Sequence, residues 1–183
     1  MKDLLFSIDK TVLLVIDVQG NLAYRMFDKE SLFRHIQALI QAAKIFNIPI
    51  VYTEQAPAKI GKTVPEIAAH MTGLSPIEKA SFSCCGEEQF NQTLRKLRRK
   101  QILICGIETH VCVFQTTADV LSNGYAVQVV GDAVSSRTQE NKNLALERMR
   151  QIGATITSTE MIMTELMRTS KHPKFREVLN LIR

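Results

Sequence analysis

Residues Val12 to Ile16 form an unbroken apolar run that Asp17 closes. A strand with one face in water alternates apolar and polar residues, whereas a continuous run has two faces to bury. That demand belongs to strands of a parallel sheet covered by helices on both sides. Similar short runs recur at residues 48–53, 77–79, 101–106, 125–130 and 154–157. The spacing between them predicts helices. One spans 29–46, with Leu32, Ile36, Leu39, Ile40 and Ala43 on one stripe and Asp28 as N-cap. Others are expected at 87–98, at 110–123 closed by Gly124, and at 141–151 stopped by Gly153. Two more, 159–167 and 174–182, follow the last strand; Thr157 and Glu160 suit a capping box for the first, and Pro173 precedes the second. Residues 54–76 read as a long connection with at most a short helix near 66–70, the kind of loop that builds sites at strand ends.

Strands alternating with helices imply an α/β, doubly wound three-layer sandwich, a six-stranded parallel sheet of order 3-2-1-4-5-6. The 183 residues fit one domain over 1–183, with no linker, repeat or low-complexity segment. The segment from Met1 to Phe6 is too short in apolar length for an export signal, and no stretch is long enough to span a bilayer, so the expected location is cytoplasmic, away from membranes. The net charge of +5 concentrates at Arg95-Lys96-Leu97-Arg98-Arg99-Lys100. That run ends a helix, where cations face the negative end of the dipole, and it lacks interleaved aromatics, so no nucleic-acid partner is expected. Cys84, Cys85, Cys105 and Cys112 cluster mid-chain, unlike a disulfide framework. With His35, His70, His110 and His172 they form no C-x-x-C or H-E-x-x-H pattern, and no metal or other cofactor is expected.

Ligands of doubly wound sheets bind outside the carboxyl ends of the strands, at the point where strand order reverses. Asp17 ends the first strand, Lys79 the third, and Gly106-Ile107-Glu108-Thr109-His110-Val111-Cys112 leads from the fourth into a helix. In this order the first and third strands are roughly 10 Å apart, at about 4.8 Å per strand, a gap that a lysine side chain of about 6 Å largely bridges. Gln19, Tyr24, Glu54, Gln55 and Phe82 follow strand ends and are candidates for a substrate pocket. Cys105, inside an apolar run, reads as packing, as do the adjacent Cys84 and Cys85. His110, two positions from Cys112, points elsewhere around a helix and makes a poor partner.

Leu14-Val15-Ile16-Asp17-Val18-Gln19, Glu78-Lys79, Gly106 through Val113, Thr116-Thr117-Ala118-Asp119 and Val130-Gly131-Asp132-Ala133 together resemble the isochorismatase-like cysteine hydrolases. Glu54-Gln55, the segment from Glu78 to Gly86 and Ser170-Lys171-His172-Pro173 are most similar to the isochorismatase domain-containing branch. The resemblance implies a triad: Cys112 as nucleophile, Asp17 as the base that takes and returns the thiol proton, and Lys79 as the cation that holds Asp17 charged. It also implies a cis peptide between Ile107 and Glu108 that aims the N–H groups of Glu108 and Cys112 at a developing oxyanion. A helix start and the Lys79 ammonium are expected to lower the Cys112 pKa, leaving a thiol that alkylates rapidly at neutral pH. Nicotinamidases of the superfamily carry an Asp-x-His metal motif after the second strand; this chain has Thr53-Glu54-Gln55, so catalysis without metal is expected. The implied reaction is hydrolysis of a small amide, ureido or related acyl compound through a thioester. The alternative is a relic fold serving an assembly. The apolar stripe of Val178, Leu179 and Ile182 and the family resemblance suggest a homo-oligomer.

Overall fold

The computed structural model describes residues 5–182, so the first four residues of the segment weighed as an export signal lie outside it. The six strands are β1 (Thr11–Ile16), β2 (Ile50–Gln55), β3 (Ile77–Lys79), β4 (Gln101–Ile107), β5 (Ala126–Ser135) and β6 (Thr155–Thr157). All pair in parallel, in the order β3-β2-β1-β4-β5-β6, as the apolar runs require. The helices are α1 (Gly20–Ala23), α2 (Lys29–Ile45), α3 (Pro57–Ile60), α4 (Pro65–Ala68), α5 (Glu88–Leu97), α6 (Phe114–Ser122), α7 (Gln139–Gln151), α8 (Thr159–Met167) and α9 (Phe175–Leu179).

The unbroken run in β1 is explained by what covers each face. Leu13 and Val15 belong to a core with Leu103, Cys105 and the buried faces of α2 and α8. Val12, Leu14 and Ile16 belong to a second core, with Phe90 of α5, Val120 of α6 and Met149 of α7. Each such side chain contributes roughly 1.5–3 kcal/mol by leaving water.

Several boundaries differ from the sequence reading, each for a physical reason. β2 begins at Ile50 because Pro49 has no N–H for the ladder, although its carbonyl accepts from the Leu13 N–H at 3.0 Å. β2 then runs two residues past Thr53, because Gln55 pairs with Lys79. β5 continues to Ser135: its register against β4 shifts between Ile104 and Gly106, and the bulge absorbs Gly131 and Asp132, which read as a strand end. Asp28 has φ of +49° and makes no side-chain cap on α2. At α8 the cap is Ser158, accepting from Met161 N–H; Thr157 stays in β6, and the Asp132 carboxylate accepts from Thr159 N–H at 3.0 Å. The connection after β2 holds two single-turn helices, α3 and α4, rather than one.

α9 is shorter than expected, and the stripe offered for self-assembly is occupied. Val178 is fully buried, and Phe175, Leu181 and Ile182 pack against the α2-side core. Of the stripe, Val178 and Ile182 therefore pack inward, and Leu179 is half-buried. The basic run is also engaged internally: Arg95 pairs with Glu88, Arg99 donates to the carbonyls of Ile8 and Thr11, and the Lys100 ammonium lies 4.8 Å from the Tyr125 ring centroid. Among the described residues no helix is long and apolar enough to cross a membrane.

Candidate active site

β1, β3 and β4 deliver Asp17, Lys79 and Cys112 to one edge of the sheet. Asp17 leaves β1 with φ of +50°, and its carboxylate is held from two sides. Thr53 Oγ1 donates to Oδ1 at 2.7 Å, and Lys79 Nζ lies 2.6 Å from Oδ2. β4 carries Cys112 differently from an ordinary strand-to-helix turn. The Ile107–Glu108 peptide is cis, and a π-helical turn, Thr109–Val113, follows, in which Val113 N–H donates to Glu108 O across five residues. Such turns are frequent at functional sites. α6 begins only at Phe114, so Cys112 sits inside the widened turn.

Gly106 allows β4 to come this close to β1. It has φ of +116°, and a Cβ there would lie 2.1 Å from the Ile16 carbonyl oxygen.

The Lys79 ammonium is buried and surrounded. Besides Asp17, it donates to Gln55 Oε1 at 2.6 Å, to the carbonyls of Ser81 and Phe82 at 3.1 Å each, and to Cys112 Sγ at 3.6 Å. Burial acts to lower its pKa, but the Asp17 carboxylate and Cys112 outweigh it, and the pKa is raised. Lys79 is thus a saturated cation whose charge Asp17 neutralises.

That pairing overturns the expectation of a low thiol pKa. Burial pushes the Cys112 thiol up to about 12, the Asp17 carboxylate adds to the rise by charge and by hydrogen bonding, and Lys79 opposes it only in part. A thiol raised in this way is held in its protonated form and becomes reactive as the proton leaves. Iodoacetamide should therefore alkylate Cys112 slowly at pH 7, at a rate rising about tenfold per pH unit from 6 to 10. Peptide mass spectrometry against Cys112→Ala reads it, and Lys79→Met should slow it further. A plateau below pH 8.5 would show a depressed pKa instead.

Other candidates divide. Gln55, Gln19 and Phe82 line a cavity of about 220 Å³ into which Asp17 and Cys112 open. Gln19 is also structural: its amide donates to Gly61 O at 2.6 Å and accepts from Gln55 N–H at 2.6 Å. Tyr24 and Glu54 do not belong to that cavity. The Tyr24 hydroxyl donates to Glu66, and Glu54 Oε1 accepts from both the N–H and the hydroxyl of Thr63, tying down the loop. The His110 ring bonds Ser136 at 3.0 Å and not Cys112. A larger groove, about 780 Å³, lies at the opposite end of the sheet, near Lys100, Gln101 and Tyr125.

Cys84, read as packing, is indeed buried, but neither its place beside the site nor a role for the Thr53 hydroxyl follows from the sequence pattern. Thr53 pairs with Ile16 across the ladder, so it neighbours the residue before Asp17 once the strand register is known. Cys84, fully buried in a 3₁₀ turn, lies 3.9 Å from Thr53 Oγ1, and burial lifts its thiol to about 12. Among the described residues no group of three or more His, Cys, Asp or Glu is arranged to hold a metal ion. At the Thr53-Glu54-Gln55 position each side chain already has a protein partner: Asp17, Thr63 and Lys79.

A thiol, a carboxylate and an ammonium converging at the carboxyl edge of a doubly wound sheet define a cysteine-hydrolase type of site. The chain belongs to the isochorismatase family, whose domain matches residues 11–161, and is a hydrolase of that isochorismatase-like kind. The secreted isochorismatase effector Isc1 of Phytophthora sojae is 40% identical over 177 residues, spanning 94% of this chain and 84% of that protein. Isochorismatase domain-containing protein 2 of Danio rerio is 38% identical over 172 residues, spanning 94% and 86%. The solved structure of MAR1 ribonuclease from Caenorhabditis elegans is 38% identical, with a TM-score of 0.91 over 97% of this chain and 91% of that one.

Proposed function

We propose that the protein hydrolyses a small amide, ureido or related acyl compound through a thioester on Cys112, without a metal. The observation that carries this reading is the buried Asp17–Lys79 ion pair, with Lys79 Nζ 3.6 Å from Cys112 Sγ at the floor of a cavity. In the first step Asp17 accepts the thiol proton as Sγ bonds to the substrate carbonyl carbon. The N–H groups of Glu108 and Cys112 stabilise the oxyanion that forms. Collapse breaks the C–N bond, and the amine leaves with the proton that Asp17 returns. Water, deprotonated by Asp17, then attacks the thioester, and Sγ departs with that proton. Lys79 remains charged throughout and balances Asp17 in every state where the carboxylate is ionised.

The ribonuclease activity in the name of the Caenorhabditis elegans relative finds little support in this cavity. Phosphate recognition needs cations, and none of the described residues lining the cavity is Lys, Arg or His.

A screen of small amides and ureido compounds, with intact-mass detection of an acyl adduct, tests the reading. Turnover with a Cys112-bound acyl group is expected, and Cys112→Ala should lose both, with a rate loss of at least about 10³-fold, since removing the nucleophile removes the covalent path. If turnover survives Cys112→Ala, the thioester is excluded. If a broad set of such compounds leaves Cys112 unacylated, the acyl-thioester reading is overturned.

A further inference from the structure

We infer that the site selects uncharged acyl compounds carrying a short apolar group, and discriminates against carboxylate-bearing ones. The inference rests on the hydrolase reading above and narrows its substrate class.

It follows from how charge is distributed around the cavity. Two carboxylates reach its lining, Asp17 and Glu108, and each has a cationic partner: Lys79 Nζ at 2.6 Å from Asp17 and Arg137 Nε at 2.9 Å from Glu108. Lys79 itself is not at the wall; its side chain is 0% exposed, and its three N–H donors are shared among acceptors on Asp17, Gln55, Ser81, Phe82 and Cys112. A substrate carboxylate entering the cavity would lose its water and meet no cation among the described lining residues, and desolvating an unpaired charge costs several kcal/mol. It would also stand beside two carboxylates. A substrate ammonium fares no better, because both carboxylates are already paired.

Apart from the uncharged amides of Gln19 and Gln55 and the Cys112 thiol, the rest of the described lining is apolar, made by Leu22, Ile60, Phe82, Ile107 and Val111. Phe82, 55% exposed, stands where an apolar substituent gains contact without a buried polar partner. Size sets a further bound. The cavity of about 220 Å³ has room for about seven waters at roughly 30 Å³ each, and lies below the range of roughly 300–1,000 Å³ for drug-sized ligands. A compact neutral amide fits; a bulky or multiply charged metabolite does not.

The test uses two alkylating agents of similar size that differ in charge, iodoacetamide and iodoacetate, on the whole protein. Both react with the same thiolate, so the thiol pKa cancels in the ratio of their rates at Cys112, read by peptide mass spectrometry. Relative to 2-mercaptoethanol, the iodoacetamide to iodoacetate ratio is expected to be at least tenfold higher. Phe82→Arg, which places a cation at the exposed mouth, should lower that ratio several-fold. A wild-type ratio equal to that of mercaptoethanol, or reversed, overturns the inference, as does a raised ratio that Phe82→Arg leaves unchanged. Alkylation needs no turnover, so these outcomes are separate from a failed hydrolysis screen. Where the screen finds turnover, hexanamide should exceed the monoamide of adipic acid in kcat/KM by at least tenfold; equal values would sink the substrate class while leaving the hydrolase reading intact.

Discussion

Asp17→Asn is expected to move two properties of the site in opposite directions. Hydrolysis should fall by about 10²–10⁴-fold, the usual contribution of a positioned general base. Alkylation of Cys112 at fixed pH should become faster, because the carboxylate that raises the thiol pKa is gone while Lys79, which lowers it, remains. Alkylation under conditions where the variant stays folded, checked by circular dichroism, separates this effect from simple exposure of the thiol. The substitution should also destabilise the fold by roughly 3–5 kcal/mol, since it strands a buried ammonium without its counter-charge. Lys79→Met strands the carboxylate in the same way. The double variant Asp17→Asn/Lys79→Met removes both charges and should therefore unfold at a higher urea concentration than either single one. If the two losses simply add in urea unfolding at pH 7, the charges are not coupled and this account of the site is wrong.

Gly106→Ala should be among the most damaging single methyl additions in the described chain. Its Cβ would lie 2.1 Å from the carbonyl oxygen and 2.5 Å from the nitrogen of Ile16, backbone atoms that cannot yield without separating β1 from β4. The φ of +116° adds backbone strain for any L side chain. A loss above about 4 kcal/mol is expected, in the class of severe core disruptions. Gly124→Ala is the control, because φ there is +80° but no atom lies within 4 Å of the added carbon, leaving only the conformational cost, about 1–2 kcal/mol. Urea unfolding of both variants reads the difference. Equal losses would mean that the approach of the two strands is not the constraint.

The architecture was legible because apolar continuity is a local property with a global cause. Val12 through Ile16 carry the requirement for two covered faces, and right-handed crossovers leave few strand orders that satisfy it. Asp17 and Lys79 stand out as candidates because they sit where β1 and β3 stop, whereas Cys112, in the π turn after β4, is singled out by the family resemblance. What escaped depends on contacts between distant segments. Nothing near Gly131 and Asp132 shows that a bulge carries β5 past them, because the bulge is defined against β4. The destination of Glu54 is set by Thr63, across a loop whose path no periodicity encodes. The thiol pKa of Cys112 was misjudged for a similar reason: an ammonium beside a thiol reads as activating until the carboxylate that neutralises it is located. The stripe on α9 looked free because its cover, α2, lies far away in sequence.

The members of the proposed triad sit at unequal depths within the sheet. Asp17 and Cys112 extend from β1 and β4, which are paired on both sides, whereas Lys79 ends β3, a three-residue strand at the sheet edge that pairs with β2 alone. Edge segments with few pairings open at a fraction of the free energy of global unfolding. When β3 frays, the ammonium leaves while the carboxylate and the thiol stay in place. The proposed triad is then only as durable as a three-residue strand, and loss of activity is expected to report on the rim of the sheet before the core has moved.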